Sequence, residues 1–416
     1  MVHCTRVSLF SCLLTIASIT GLSSTDSILG QCQTAEGIYN CSGIGLEDIP
    51  TGIHIPTPTT IIDLHGNHIS NITYLDYGSL TALDTLDLSD NQISILEPNA
   101  LMKLKGLKVL DLSKNYLQGS GMEEHMFMDL RKLKELRLKR NPLKILRADL
   151  LNYFELPSLQ ILDLSYCELE TLEASSIDLP SLISLNLSWN KLTEINRRAL
   201  RMLNDLKTLD MSHNLIKVFD TVPHLPELQT WYLDSNLIET VHVGDHIWTY
   251  AESLQNLYMR NNQIMRFAPG DLPLDLGTLK VLDLSNNEIH CDCRMKWIAS
   301  AVVEDKANRD IVLKCRYLSR VNGKDLLSLP EEELNCNIPP GKIIFIVSMA
   351  AIVAVCVGLI AFFVVRSIRR RFKIRRATKS DNKGDYSAVY TKEDEDIQVT
   401  MSDSRGLLVN KSEFDV

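Results

Sequence analysis

The sequence predicts an α/β solenoid: a curved rod of stacked coils, a parallel sheet along its concave side, disulfide-closed ends, and then one membrane-crossing helix. Three observations predict it. An eleven-residue phrase, Leu-x-x-Leu-x-Leu-x-x-Asn-x-Leu with conservative swaps, returns ten times. Its second apolar anchor falls at Ile62, Leu86, Leu110, Leu136, Leu162, Leu185, Leu209, Trp231, Leu257 and Leu282, in steps of 22 to 26 residues. A fixed period of that size marks a repeat architecture rather than a globule. Cysteines bracket the repeats, and Ile343 to Val365, 23 residues without a charge, follow them.

Each phrase makes one short strand and one turn. Alternation puts Leu86 and Leu88 inward and Asp87 outward. The asparagine, such as Asn91 or Asn287, stands where the chain leaves the strand, and its amide can bond backbone groups of neighbouring coils that would otherwise be buried unpaired. Leu96, Ala100 and Leu104, or Ile195, Ala199 and Leu203, supply a convex wall. One coil cannot bury its own leucines, so stability comes from its neighbours. Cys167 takes the asparagine position in the fifth coil, where a small buried thiol fills the ladder better than it serves as a reactive group.

Period and phrase together resemble the leucine-rich repeat family, and nearly the whole chain resembles its single-pass cell-surface members. The resemblance implies a right-handed solenoid with cysteine-rich caps. Of ten cysteines, Cys32 and Cys41 precede the first coil, and Cys291, Cys293, Cys315 and Cys336 follow the last. This is disulfide arithmetic in an oxidising compartment. Spacing alone allows three pairings of the last four. The resemblance implies Cys291–Cys315 and Cys293–Cys336, with Met295, Trp297, Ile298 and Val302 on the apolar face of a short helix. The family's N-terminal flank often has four cysteines where this chain has two, which implies a reduced hairpin closed by Cys32–Cys41. Four cysteines on one zinc ion is the rival reading; a secretory leader opposes it.

That leader is Arg6 followed by the apolar run Val7–Ile19 and small residues at Gly21–Ser24, a signal peptide too short to span a bilayer. The expected organisation is 1–30 signal peptide with cleavage between 21 and 30, 31–58 N-terminal cap, 59–290 ten repeats, 291–336 C-terminal cap, 337–342 linker, 343–365 span and 366–416 cytoplasmic tail. At about 1.5 Å per residue the span reaches roughly 35 Å, enough for a hydrocarbon core of about 30 Å. Arg366, Arg369, Arg370, Arg371, Lys373, Arg375 and Arg376 follow at once, which puts that end in the cytoplasm and the N-terminus outside, at the plasma membrane. The chain has 43 basic and 52 acidic residues, and the part between leader and span carries roughly twelve more acids than bases. That opposes nucleic acid or heparin as the main extracellular ligand.

Outward strand positions are where a partner would bind. Asp63, Asp87, Asp111, Asp163, Asp210 and Asp283 repeat there as part of the scaffold. The fourth coil departs with Arg137, Lys139 and Arg140, and the next coils carry Tyr166, Trp189, Tyr232 and Tyr258 with His213 between, read as exposed rings beside arginine. Such residues anchor protein interfaces; ordinary surface decoration is the alternative. His65 and His68 read as solvated. Asn71-Ile-Thr73 and Asn186-Leu-Ser188 are N-glycosylation sequons, and Asn40-Cys-Ser42 is a poorer one because its middle residue belongs in a disulfide. A glycan on Asn186 would crowd Trp189. No phosphate loop, zinc-protease motif or nucleophile elbow appears, so neither enzyme chemistry nor a cofactor or metal is expected.

The tail is polar and too short for a core, and disorder is expected. Tyr386-Ser-Ala-Val389 matches a clathrin-adaptor sorting signal, Tyr386 and Tyr390 are candidate phosphorylation sites, and Phe414 and Val416 resemble the end of a class II PDZ ligand. These features predict an adhesion or recognition receptor that binds a protein outside and a scaffold inside. The alternative is an innate-immune co-receptor, or a modulator of another receptor, lacking its own signalling domain.

Overall fold

The computed structural model describes residues 29–50, 55–122, 126–127, 129–146, 151–152, 155–174, 176–243, 247–274, 277–295, 297–298, 310–316, 322–329, 334 and 340–377. The leader, Val302, Cys336 and the tail motifs Tyr386, Val389, Tyr390, Phe414 and Val416 lie outside them. The chain forms two compact units, Met1–Cys336 and Asn337–Val416.

In the first unit ten three-residue strands stack in register: Ile61–Asp63, Thr85–Asp87, Val109–Asp111, Glu135–Arg137, Ile161–Asp163, Ser184–Asn186, Thr208–Asp210, Thr230–Tyr232, Asn256–Tyr258 and Val281–Asp283. Every pair of neighbours is parallel, with inward residue opposite inward residue, as in Leu86↔Leu110 and Leu209↔Trp231. The inward anchors are fully buried, Leu86 and Leu88 among them, and Leu96, Ala100 and Leu104 close the convex side. The shortest step, 22 residues, ends on Trp231. Its indole replaces a leucine and meets Phe219 of the convex wall at 5.4 Å between ring centres.

Between coils the backbone would be stranded without the asparagines. Nine of them, Asn67, Asn91, Asn115, Asn141, Asn190, Asn214, Asn236, Asn262 and Asn287, are buried in a single file. Asn91 is representative. Its Nδ2 donates to the carbonyls of Leu64 (3.0 Å) and Leu88 (3.0 Å), while its Oδ1 accepts from Ile69 N–H (3.1 Å). Cys167 interrupts the file. Its thiol donates to Leu138 O (3.2 Å), but it has no oxygen to offer Leu143 N–H, which turns back onto Asn141 O (2.8 Å).

Both ends are lidded. The antiparallel hairpin Gln33–Ala35/Ile38–Asn40 turns through Glu36 and Gly37, both at positive φ as such a tight turn requires, and Ile38–Asn40 continues the sheet onto Ile61–Asp63. Cys32 and Cys41 are disulfide-bonded across it. At the far end Asp310–Val312 adds a last parallel strand to Val281–Asp283, and Cys291 is bonded to Cys315. Cys293 is disulfide-bonded as well. Met295 and Ile298 are buried and Trp297 packs partly buried against the same core.

The described part of the second unit is one helix, Pro340–Ala377. Its stretch Ala351–Arg369 is long and apolar enough to cross a membrane. The helix runs twelve residues beyond Val365, so the tail does not begin as the disordered segment expected from residue 366. The charge-free run marks an apolar centre, whereas arginine and lysine, good helix formers, carry the helix on.

Replacing Asn190 by alanine removes the acceptor for the Cys167 and Leu169 amides and the donor to the Leu164 and Leu187 carbonyls. Asn190→Ala is expected to cost about 3 kcal/mol or more, read from denaturant unfolding; an unchanged midpoint would contradict the ladder's role.

Candidate functional site

The residue before each ladder position adopts the left-handed conformation in every coil: Gly66, Asp90, Lys114, Arg140, Tyr166, Trp189, His213, Ser235, Asn261 and Asn286, with φ between 53° and 68°. The cause is a coil-to-coil hydrogen bond. Trp189 N–H donates to Ser212 O (2.9 Å), Tyr166 N–H to Ser188 O (3.0 Å) and His213 N–H to Asp234 O (2.8 Å). With the backbone fixed in this way, side chains in this column leave the rod in parallel, one coil apart.

Where the column carries rings, they stack. Tyr166 lies 5.0 Å from Trp189 with planes 7° apart, and Trp189 lies 3.8 Å from His213 with planes 11° apart. The Arg140 guanidinium covers the other side of Tyr166 at 5.0 Å, with Lys139 Nζ at 5.6 Å. Trp189 therefore has a ring against each face and turns only its edge to solvent.

Tyr232 and Tyr258 belong to a different column, between the inward anchors of their strands. They stack at 4.9 Å with planes 8° apart, and Arg260 sits 5.3 Å over Tyr258. Asp234, almost fully buried, holds that guanidinium through Oδ2, at 2.6 Å from Nη2 and 3.1 Å from Nε. The residues expected to form one exposed strip thus form two stacks. Of the five rings, Trp189 alone is exposed; Tyr166, His213, Tyr232 and Tyr258 are half-buried because their neighbours cover them. Arg137 is tied to Glu135 Oε1 through Nε (2.7 Å) and to Asp111 Oδ2 through Nη1 (3.2 Å), so it is not a free anchor. Arg260 and Asp234 escaped the sequence reading, although Asp234 stands where most coils have serine.

The scaffold aspartates have a defined task. Oδ1 of Asp87 accepts from Ser89 N–H (2.8 Å), and Asp111, Asp163, Asp210 and Asp283 repeat the bond two residues on. Asn186 does the same, accepting from Ser188 N–H (2.9 Å) and Ser188 Oγ (2.7 Å), and its Nδ2 makes no hydrogen bond among the described residues. Asn71 is exposed at the start of a short convex strand; Asn40 is half-buried, with Oδ1 on Ser42 N–H (2.9 Å). His65 is bonded rather than merely solvated: Nδ1 meets Asp63 Oδ1 at 2.8 Å, and that carboxylate raises its pKa.

Repeats, ladder and caps together decide the family. The leucine rich repeat profile matches residues 58–117, 81–143, 157–216 and 180–238. This chain is a leucine-rich repeat protein with disulfide-bonded caps. Osteomodulin of Bos taurus is 30% identical over 226 residues, which are 53% of this chain and 50% of osteomodulin. Tsukushi of Mus musculus is 26% identical over 68% of this chain and 82% of its own length. Transforming growth factor beta activator LRRC33 of Danio rerio is 31% identical over 51% of this chain. The chain thus spans half of osteomodulin and 31% of LRRC33. Among solved structures, a chain in the octameric complex of latrophilin 3, Unc5D and FLRT2, where FLRT2 is the leucine-rich repeat component, superposes with a TM-score of 0.57 at 23% identity, covering 73% of this chain and 98% of that one. At that identity the likeness establishes the fold alone.

Burial pushes the Cys167 thiol up from 9.0 to about 12. The unfolded thiol ionises first, so its contribution to stability is complete below pH 9 and is lost as pH rises from about 9 to about 12. Melting curves across that range should therefore fall more steeply for the native protein than for Cys167→Ala; parallel curves would place the thiol in water.

Proposed function

We propose that this protein is a single-pass cell-surface recognition receptor that binds a protein ligand outside the cell through its ring stacks. The observation that carries the reading is the stack Arg140–Tyr166–Trp189–His213, rigidly presented over four successive coils. Aromatic and arginine side chains held in one arrangement lose little entropy on binding. Disulfide caps fit an oxidising exterior, and the helix Pro340–Ala377 with its basic C-terminal half fits one crossing with the N-terminus outside. The organisation expected from the sequence, from signal peptide to cytoplasmic tail, belongs to this reading. So does N-glycosylation at Asn71 and Asn186, with Asn40 the weaker acceptor. The relatives' leucine-rich repeats point to binding rather than catalysis.

Applied to living cells with proximity labelling, the secreted rod through Cys336 should capture a defined surface protein. The double variant Trp189→Ala/Tyr232→Ala, with its disulfides and melting temperature preserved, is expected to capture it at least about tenfold less well. Equal capture by the folded variant would remove the ring stacks from the interface.

Inside the cell, we propose, the tail uses its C-terminal Glu413-Phe414-Asp415-Val416 to add a strand to a PDZ domain, and Tyr386-Ser-Ala-Val389 to engage a clathrin adaptor. The PDZ contact needs the free carboxylate of Val416. One residue added after Val416 should abolish scaffold pulldown from lysate, and undiminished pulldown would show the motif to be idle.

A further inference from the structure

The fourth coil reverses the charge of the rod. Between Arg131 and Arg140 the sequence has six basic residues and a single acid, Glu135, in an extracellular part that is otherwise acidic. Arg137 is neutralised by Glu135 and Asp111. Arg131, Lys132, Lys134, Lys139 and Arg140 form no ion pair among the described residues, whereas Lys108 on the third coil is matched to Asp84 and Lys191 on the sixth to Glu168. Arg131, Lys132 and Lys134 precede the strand Glu135–Arg137 and Lys139 and Arg140 follow it, with the paired Glu135 and Arg137 between them. At the entry side Lys132 joins Lys103 and Lys105 around an open groove of about 650 Å³, which Asp76 also lines and where Lys105 is matched to Asp129. At the exit side Arg140 caps the ring stack.

The stack adds its own chemistry. The faces of Tyr166 and Trp189 are covered, so what they offer is edges: a phenol O–H and an indole N–H, neither hydrogen-bonded within the protein among the described residues. Cations and edge donors ask for the same thing, a chain of acceptors. The eight steps from Lys132 to Arg140 reach at most roughly 28 Å, so a bound peptide of about eight extended residues is long enough to meet both ends.

We propose that the fourth coil and the ring edges beside it bind an extended, carboxylate-rich segment of the partner protein. This rests on the protein-binding reading above and names the chemistry of the partner. Carboxylates of the segment meet the unpaired lysines and arginines, and its remaining acceptors meet Tyr166 and Trp189. Such pairing steers encounter as well as fixing register, so association is salt-dependent.

The test uses the full-length chain in lipid nanodiscs and a fluorescent ten-residue peptide of alternating glutamate and glycine, read by anisotropy. The expected result is saturable binding that weakens as salt rises from about 0.05 to about 0.3 M. Binding should fall about tenfold or more in Lys139→Glu/Arg140→Glu and in Lys132→Glu/Lys134→Glu. It should be unchanged in Arg198→Glu, an exposed cation on the short helix Arg197–Leu200, and absent for the peptide with glutamine in place of glutamate. The milder Lys139→Gln/Arg140→Gln should lie between wild type and charge reversal, which a folding defect would not produce. Equal binding of the glutamine peptide, indifference to charge reversal, or tighter binding of a heparin fragment of matched length would each overturn the proposal. Failure of the peptide with cell-surface capture intact would sink the acidic segment alone. Peptide binding without any cell-surface protein capture would sink the recognition reading instead.

Discussion

The asparagine file is the constraint on which the rest of the rod depends. A solenoid buries backbone between coils at the point where each strand ends, and nothing in a strand ladder satisfies those groups. One primary amide, donating to two carbonyls and accepting an N–H from the preceding coil, satisfies them in nine of the ten coils, as Asn115 does with Leu88 O, Leu112 O and Ile93 N–H. Aspartate has no donor and leucine has neither group. Leaving such groups unpaired in a dry interior costs about 1–3 kcal/mol each, and a ten-coil rod would repeat the deficit at every step.

The same junction determines what the surface can display. A chain that must turn its amide inward at the ladder position reaches it through one left-handed residue. An ordinary side chain there costs roughly 1–2 kcal/mol, offset by the coil-to-coil hydrogen bond of its own N–H. Toward the C-terminal end the column is filled by serine and asparagine, and at the first coil by glycine. In the middle it holds histidine and also arginine, tyrosine and tryptophan, the last three with no local preference for that conformation. Their placement is therefore unhelpful to the turn, and their value lies in what they present: rings stacked in the same direction as the coils, each fixing the next.

Much of this architecture was legible in the sequence, because it is written at fixed offsets within one phrase. The inward leucines, the ladder asparagines and the convex apolar residues follow from a period of two inside a period near 24. The stacks were only half legible. Tyr166 and Trp189 precede the ladder residue whereas Tyr232 and Tyr258 fall between inward anchors, a distinction visible in the phrase, but residue type suggested one exposed strip. Whether a ring lies flat on its neighbour depends on side-chain directions one coil away, which single-sequence reasoning does not supply. Arg137 looked free for the same reason: its partner Asp111 sits 26 residues earlier. Asp234 and Arg260, also 26 residues apart, repeat the lesson.

The irregular junction of the rod and its candidate site coincide. Cys167 breaks the asparagine file in the fifth coil, next to the fourth, where two of the three 26-residue steps meet. Pro142 enters the turn there, and Leu143 bonds locally in place of reaching the next coil. On the convex side Gly119 is the only residue type that fits, because a Cβ there would lie 2.0 Å from Ile145 O. Arg140 closes the fourth coil's run of unpaired cations and opens the ring stack in a single residue, so the charged and aromatic halves of the site share one anchor point. Mechanically, the rod is uniform wherever it only has to be long, and it departs from its own repeat where the chemistry of its surface changes.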